Sequence, residues 1–186
     1  MEKTKIKNYP IGPFPTVLAG VDVDDKPNYV TVGACGVVCM EPVLYISLKN
    51  THYSTKGVNE NGYFSVNIPS ADMVQKTDYC GVVSGKETDK SGVFTSFYDE
   101  LGKAPMIREC PLNFLCKVIQ SVPLFGFEMF LGEIVSVYIN EHCLTDSKPD
   151  PLKINPMMMM GTNYLNFGQV VGTIYQEGTA YKNSTK

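Results

Sequence analysis

Residues 28–67 read NYVTVGACGVVCMEPVLYISLKNTHYSTKGVNENGYFSVN. A strand rich in small residues gives way, past Glu41-Pro42, to an apolar strand at 43–48. A polar cluster, Lys49-Asn50-Thr51-His52-Tyr53-Ser54-Thr55, then opens a short helix over 54–61 that Gly62 stops, and a strand follows at 63–68. Short runs of β-branched and aromatic residues, punctuated by Pro and Gly, are the signature of strands. Hydroxyls and a lysine at a strand-to-helix junction suit an anion, because the first amides of a helix lack partners within it. The Gly33-Ala34-Cys35-Gly36 run carries little side-chain bulk and leaves room for a flat group against the backbone. Together these features point to a nucleotide-like ligand with an anionic tail and a planar ring. Each also has a purely structural explanation, an ordinary helix cap in one case and tight packing at a barrel bend in the other.

Outward from this stretch, β signals continue. Residues 14–23 alternate apolar positions and end at the turn sequence Asp24-Asp25-Lys26-Pro27. The pattern predicts further strands over 28–39 and over 112–120, where Leu112, Phe114, Cys116 and Val118 share a face. A long strand over 127–139 is expected to kink near Gly132. Ser70 is a plausible N-cap for a helix over 71–79, with Asp72 in its first turn. Residues 81–110 are polar and glycine-rich with little periodicity, and a segment of that kind is usually functional or wraps a neighbour. Residues 157–178 are apolar and aromatic, and their run Met157-Met158-Met159-Met160 suits core filling or an adaptable interface. Many short strands with few helices indicate a mainly β chain built as a closed or nearly closed antiparallel barrel. A doubly wound parallel sheet would need longer helices between its strands.

The 186 residues fit one domain, with no linker or internal repeat to divide them. At 44% hydrophobic and 19% charged residues the chain can bury a core. Its net charge of -3 and the lack of a basic patch argue against nucleic acid as partner. No apolar run is long enough to span a bilayer, and residues 1–10 lead into no apolar segment, so neither a membrane span nor a secretory signal is expected. The expected compartment is the cytoplasm. Six cysteines, none in a C-x-x-C pair, and two histidines make a zinc or iron-sulfur site a poor prospect. Free, mostly buried thiols are expected.

Two other places invite a functional reading. The run Asp78-Tyr79-Cys80-Gly81-Val82-Val83-Ser84-Gly85, followed by Asp89-Lys90, leaves a helix through two glycines and reads as a lid or as a surface loop. Cys35 and Cys80 are conceivable nucleophiles, but an activated thiol needs a base or cation beside it, and the sequence places neither. No Walker loop, G-x-S-x-G or G-x-G-x-x-G is present, so hydrolase and ATPase chemistry lack support.

Several motifs in order make the chain recognisable. Pro27-Asn28 with Thr31-Val32, then Glu41-Pro42-Val43-Leu44, Lys49 to Ser54 and Phe64-Ser65-Val66-Asn67-Ile68-Pro69 resemble the flavin reductase-like, FMN-binding split-barrel family. Asp78-Tyr79-Cys80-Gly81 with Ser84-Gly85 and Asp89-Lys90 resembles its flavoredoxin branch, and Tyr164, Phe167-Gly168 and Val171-Gly172 resemble the family's ending. The likeness spans about residues 13–178. It implies a six-stranded antiparallel split β-barrel, a homodimer, and FMN near the dimer interface. Carried over by position, Lys49, Asn50, Thr51, His52 and Ser54 would hold the phosphate and ribityl chain. Thr31, Val32, Gly33, Ala34 and Cys35 would line the flavin ring, and Cys80, Gly81, Ser84, Gly85 and Lys90 would border the pocket. The resemblance implies an oxidoreductase fed by NAD(P)H or by a redox protein, with the flavin carrying the chemistry. An electron carrier without direct NAD(P)H oxidation and a non-enzymatic barrel module are the competing readings.

Overall fold

The computed structural model describes residues 1–7, 10–39 and 41–184. Asn8 and Tyr9, part of the lysine-rich N-terminal stretch, lie outside the described residues. Strands β1 (Phe14–Pro15), β2 (Val17–Val23), β3 (Lys26–Val32), β4 (Cys35–Cys39) and β5 (Val43–Lys49) lead into helix α1 (Tyr53–Asn61) and strand β6 (Tyr63–Ile68). A 3₁₀ turn at Ala71–Met73 runs into α2 (Val74–Val82), followed by β7 (Ser96–Phe97), β8 (Met106–Ile107), β9 (Leu112–Leu124) and β10 (Phe127–Ile139). Two short strands, β11 (Leu144–Thr145) and β12 (Lys148–Pro149), precede α3 (Pro151–Ile154), β13 (Met157–Met160), β14 (Asn163–Asn166) and α4 (Gln176–Ser184).

The main sheet has seven strands in the order β3-β2-β6-β9-β10-β5-β4. That is one more than the six expected, because the predicted strand over 28–39 is two strands. β3 lies at one edge of the sheet and β4 at the other, yet only Gly33 and Ala34 separate them. From Val32 to Cys35 the chain spans at most about 11 Å. The two edges must therefore lie side by side, so the sheet curls into a barrel that is split along the β3–β4 seam. The fold is mainly β, as expected. All the pairings in this sheet are antiparallel.

Two-residue turns set the register. Asp24 and Asp25 at φ 51° and 62° join β2 to β3, and Phe125 and Gly126 at φ 46° and 82° join β9 to β10. Paired positive φ values twist the turn with the strands. The kink expected near Gly132 is a register shift between Leu131 and Gly132. A Cβ at Gly132 would stand 2.5 Å from the Phe64 ring in the barrel core. That core is built from Val17, Val21, Ile46, Leu48, Phe64 and Phe130, among others.

Two further expectations needed revision. The strand over 14–23 breaks at Thr16, where the chain changes sheets: β1 pairs with β13, while β2 joins the barrel. Ser70 makes no side-chain cap, since the Ala71 amide already donates to Asn155 O and the Met73 amide to Ser70 O. Residues 81–110 finish α2 at Val82, add the short β7–β8 pair and wrap the outer face of the barrel, one of the two roles expected of such a segment. There Phe94, Ile107 and Cys110 bury Leu18 and Tyr29, which is why β2 is covered on both faces.

Candidate functional site

Helix α1 lies directly on β2 because Gly57 has no side chain; a Cβ there would stand 2.4 Å from Asp22 O. This contact brings the start of α1 beside β3. Helix α2 approaches β3 in a similar way, with Gly81 against Thr31, whose Oγ1 donates to Thr77 O. Between these elements opens a cavity of about 330 Å³. β3 contributes Asn28, Val30 and Thr31. Lys49 and the start of α1 contribute Thr51, His52, Tyr53 and Ser54. The end of α2 and the loop beyond it contribute residues 80–85 together with Lys90.

Among the described residues no carboxylate lines this cavity, whereas two lysines and a histidine do. Two acids on the adjoining segments are engaged elsewhere. Asp24 accepts from Tyr53 Oη and pairs with Lys56, and Asp89 pairs with Lys26 at 3.0 Å. His52 is held below its ordinary pKa, first by burial and then by the charges of Lys49, Lys90 and Lys86. The site is therefore electropositive within a chain of net charge -3.

Helix α1 points its N-terminus here, and its N-cap, His52, makes no side-chain cap bond. Thr55 Oγ1 is used locally, donating to Lys49 O at 2.9 Å. Ser54 is different. Its side chain is buried, at 2% exposure, and its Oγ accepts from Asn28 Nδ2 at 2.7 Å. The hydroxyl proton has no acceptor among the described residues. An uncapped helix start, a buried O–H donor and cations form an anion site.

Lys90 does something else. It is only 3% exposed, and its Nζ donates to Cys80 O at 3.3 Å and to Val83 O at 3.2 Å. These are carbonyls at the C-terminal end of α2, where a cation offsets the negative end of the helix dipole. Burial lowers its pKa. Gly85 lets the loop close down, since a Cβ there would stand 2.3 Å from Asn28 Oδ1 and 2.7 Å from the Tyr53 ring.

Of the residues singled out in the sequence, Thr31, Lys49, Thr51, His52 and Ser54 line the cavity, as do Cys80, Gly81, Ser84, Gly85 and Lys90. Val32, Gly33, Ala34, Cys35 and Asn50 do not. Val32 and Cys35 turn into the barrel core, and Gly33 sits under the Met159 side chain. Cys35 borders a separate apolar groove of about 660 Å³, along with Phe14, Val37, Leu44, Met157 and Phe167. Burial pushes its thiol up to about 12 and that of Cys80 up to about 11, the latter against the pull of Lys90. Neither is an activated nucleophile. Asn28, Val30, Tyr53, Val82 and Val83 also line the cavity and were not singled out as site residues. Asn28 had left a trace, because a polar amide inside a strand is disfavoured unless it has a partner.

Residues 12–168 match the model of the flavin reductase like domain. The chain belongs to this family. A flavoredoxin from Methanosarcina acetivorans is similar at 39% identity and TM-score 0.92, over 97% of this chain and 100% of that one. Flavoredoxin of Desulfovibrio vulgaris is 29% identical, with TM-score 0.89 over 95% and 100% of the two chains. These likenesses bear out the resemblance to the flavoredoxin branch. An FMN-binding protein from Thermus thermophilus shares the fold, with TM-score 0.79 at 17% identity over 93% and 99% of the chains. A curated relative from Archaeoglobus fulgidus is 27% identical over 76% of this chain and 79% of its own length.

Proposed function

We propose that this chain is an FMN-binding oxidoreductase that passes electrons from NAD(P)H or a redox protein through its flavin. The observation that carries this reading is the electropositive cavity into which α1 opens, in which, among the described residues, there is no carboxylate and no acceptor for the Ser54 hydroxyl. Those residues fit the phosphate of FMN. The cavity volume falls at the low end of the roughly 300–1,000 Å³ usual for ligand pockets. That is room for the phosphate and ribityl end, with the rest of the cofactor reaching the open side. Lys49, Thr51, His52 and Ser54 hold the phosphate, and Thr31, Gly81 and residues 83–85 border the remainder. The bound flavin supplies the electron chemistry that no side chain here provides. The protein's own part is to bind and orient it, and to keep the loop over residues 83–90 in place through Lys90.

FMN titration followed by flavin fluorescence tests this, with riboflavin as the ligand lacking the phosphate. Micromolar or tighter FMN binding with much weaker riboflavin binding is expected. Equal affinity for both would remove the phosphate from this cavity. Anaerobic mixing of the FMN-loaded protein with NADH or NADPH then separates a reductase from a flavoredoxin-type carrier. Bleaching of the flavin absorbance within minutes supports the former.

The working form in this reading is a homodimer. The apolar groove is open, and the chain carries its own unpartnered apolar arm: Phe167, Val170, Val171, Ile174 and Tyr175 are exposed, Val171 at 91%. Patches of this kind on one chain are covered by association. Sedimentation of a stable monomer would refute the dimer. Free thiols throughout suit a reducing compartment such as the cytoplasm, and among the described residues no helix is long and apolar enough to cross a membrane.

A further inference from the structure

We infer that Asn28 is a positioning residue that fixes the polarity of the anion site by acting on Ser54. The inference rests on the proposed function, with the phosphate at the start of α1, and deepens it. Asn28 lies on β3, buried at 3% exposure, and its Nδ2 donates to Ser54 Oγ at 2.7 Å. A serine oxygen that accepts a bond from one side must direct its own proton elsewhere. No described residue takes that proton, and Ser54 lines the cavity. Asn28 thus turns an adaptable hydroxyl into a committed donor.

A committed donor distinguishes ligands. A phosphate oxygen has only lone pairs to offer and accepts the proton. A terminal alcohol, as at the end of riboflavin, also carries a hydrogen, and it gains less from committed donors. Other groups here agree: Lys49 Nζ and the Tyr53 and Ser54 amides that begin α1 are donors without an acceptor role. Among the described residues no carboxylate lines the cavity to accept a ligand hydroxyl. Asn28 itself is held from above by Gly85, the residue whose missing side chain lets the loop rest on the amide. A closed loop therefore holds Asn28 in the orientation that holds Ser54.

The test measures affinities for FMN and riboflavin in four proteins: the full chain, Asn28→Ala, Ser54→Ala and the double variant. Ser54→Ala is expected to weaken FMN about tenfold and Asn28→Ala about fivefold. The double variant should bind FMN no more weakly than Ser54→Ala, because Asn28 acts through Ser54. Riboflavin affinity should stay within twofold throughout. A merely structural role for Asn28 would lower both ligands together, and that outcome overturns the proposal. Independent, multiplying losses in the double variant overturn it too, as does unchanged or tighter FMN binding by Asn28→Ala, which would mean that the amide had been competing for the Ser54 proton. Failure of the underlying reading looks different: the unaltered chain would then fail to prefer FMN over riboflavin.

Discussion

Replacing Lys90 by Met separates the lysine that builds the site from the lysine that serves the ligand. The substitution keeps an unbranched side chain one atom shorter and removes the ammonium. In the folded protein Nζ donates to Cys80 O at 3.3 Å and to Val83 O at 3.2 Å. Hydrogen bonds to a charged group contribute about 1.5–3 kcal/mol each. Both distances are at the long end of the range, so the lower figure applies, for about 3 kcal/mol in all. Against this stands the cost of burying a cation, which shows in the lowered pKa of Lys90. A net loss of about 1–2 kcal/mol follows once that cost is set against the two bonds. For a chain of this size, about 2–4 °C of Tm accompanies each kcal/mol, so Lys90→Met should melt roughly 2–8 °C lower. Amides of residues 80–90 should exchange faster with deuterium. Lys49→Met is the contrast. Lys49 is exposed, and its ammonium bonds to no described residue. That variant should hold its Tm within about 1 °C and lose about tenfold or more in FMN affinity. The reasoning fails if Lys90→Met melts with the parent protein and its loop exchanges no faster, or if Lys49→Met costs as much stability.

The stability contribution of Lys90 also has a sign in pH. Its folded pKa lies below the ordinary 10.5, so the unfolded chain keeps the proton to higher pH, and stability from this group rises with pH between the two values; denaturant titrations of Lys90→Met should lack that rise. Gly85→Ala should cost about 1–3 kcal/mol in the melting curve and weaken FMN, because the new Cβ meets the buried Asn28 amide and the Tyr53 ring; a variant with parental stability and affinity would show that the loop does not need to close. NMR titration of the two histidines should find His52 below its ordinary value of 6.5 in the free protein and raised when FMN or inorganic phosphate binds, with proton uptake as the calorimetric sign. No change on binding would place the anion away from His52. Iodoacetamide at pH 8 should modify exposed Cys39 first and leave Cys35, Cys80 and Cys116 intact, since burial holds those thiols near 12, 11 and 12; early labelling of Cys35 would contradict its place in the core.

Local chemistry explains what could be read in advance. The strand at Tyr63–Ile68 and the long strand Phe127–Ile139 were legible to the residue, because Gly62, Pro69 and the apolar pattern bound them. The break between β3 and β4 was not. Gly33 and Gly36 hinted at a bend within residues 31–39, but a glycine in a strand also marks a bulge or a close approach, and it is the pairing of β4 with β5 across the barrel that fixes the break at Gly33-Ala34. For the same reason Val32 and Cys35 were nominated to face a ligand: which side a residue faces depends on register, and register is a property of the partner strand. The 49–55 cluster was legible as an anion site from its own chemistry. The part played by Asn28, 26 residues away from Ser54, was not, because nothing local pairs a strand amide with a helix hydroxyl.

Both helix ends that meet at the cavity have consequences for an anion. Helix α1 presents its N-terminus, which attracts negative charge, while α2 ends nearby and presents carbonyls, which repel it. Left alone, the second end would cancel part of the first. Lys90 takes the Cys80 and Val83 carbonyls, and its third proton adds to the positive field instead of subtracting from it. A buried cation without a carboxylate partner is costly in a protein that needs only to fold. It makes sense where the missing partner arrives with the ligand. On that argument FMN binding should stabilise the chain by more than its loss in Lys49→Met alone accounts for, and Lys90→Met should show the smaller ligand-induced rise in Tm at equal saturation. If the two proteins gain equally, Lys90 senses only the helix and not the anion.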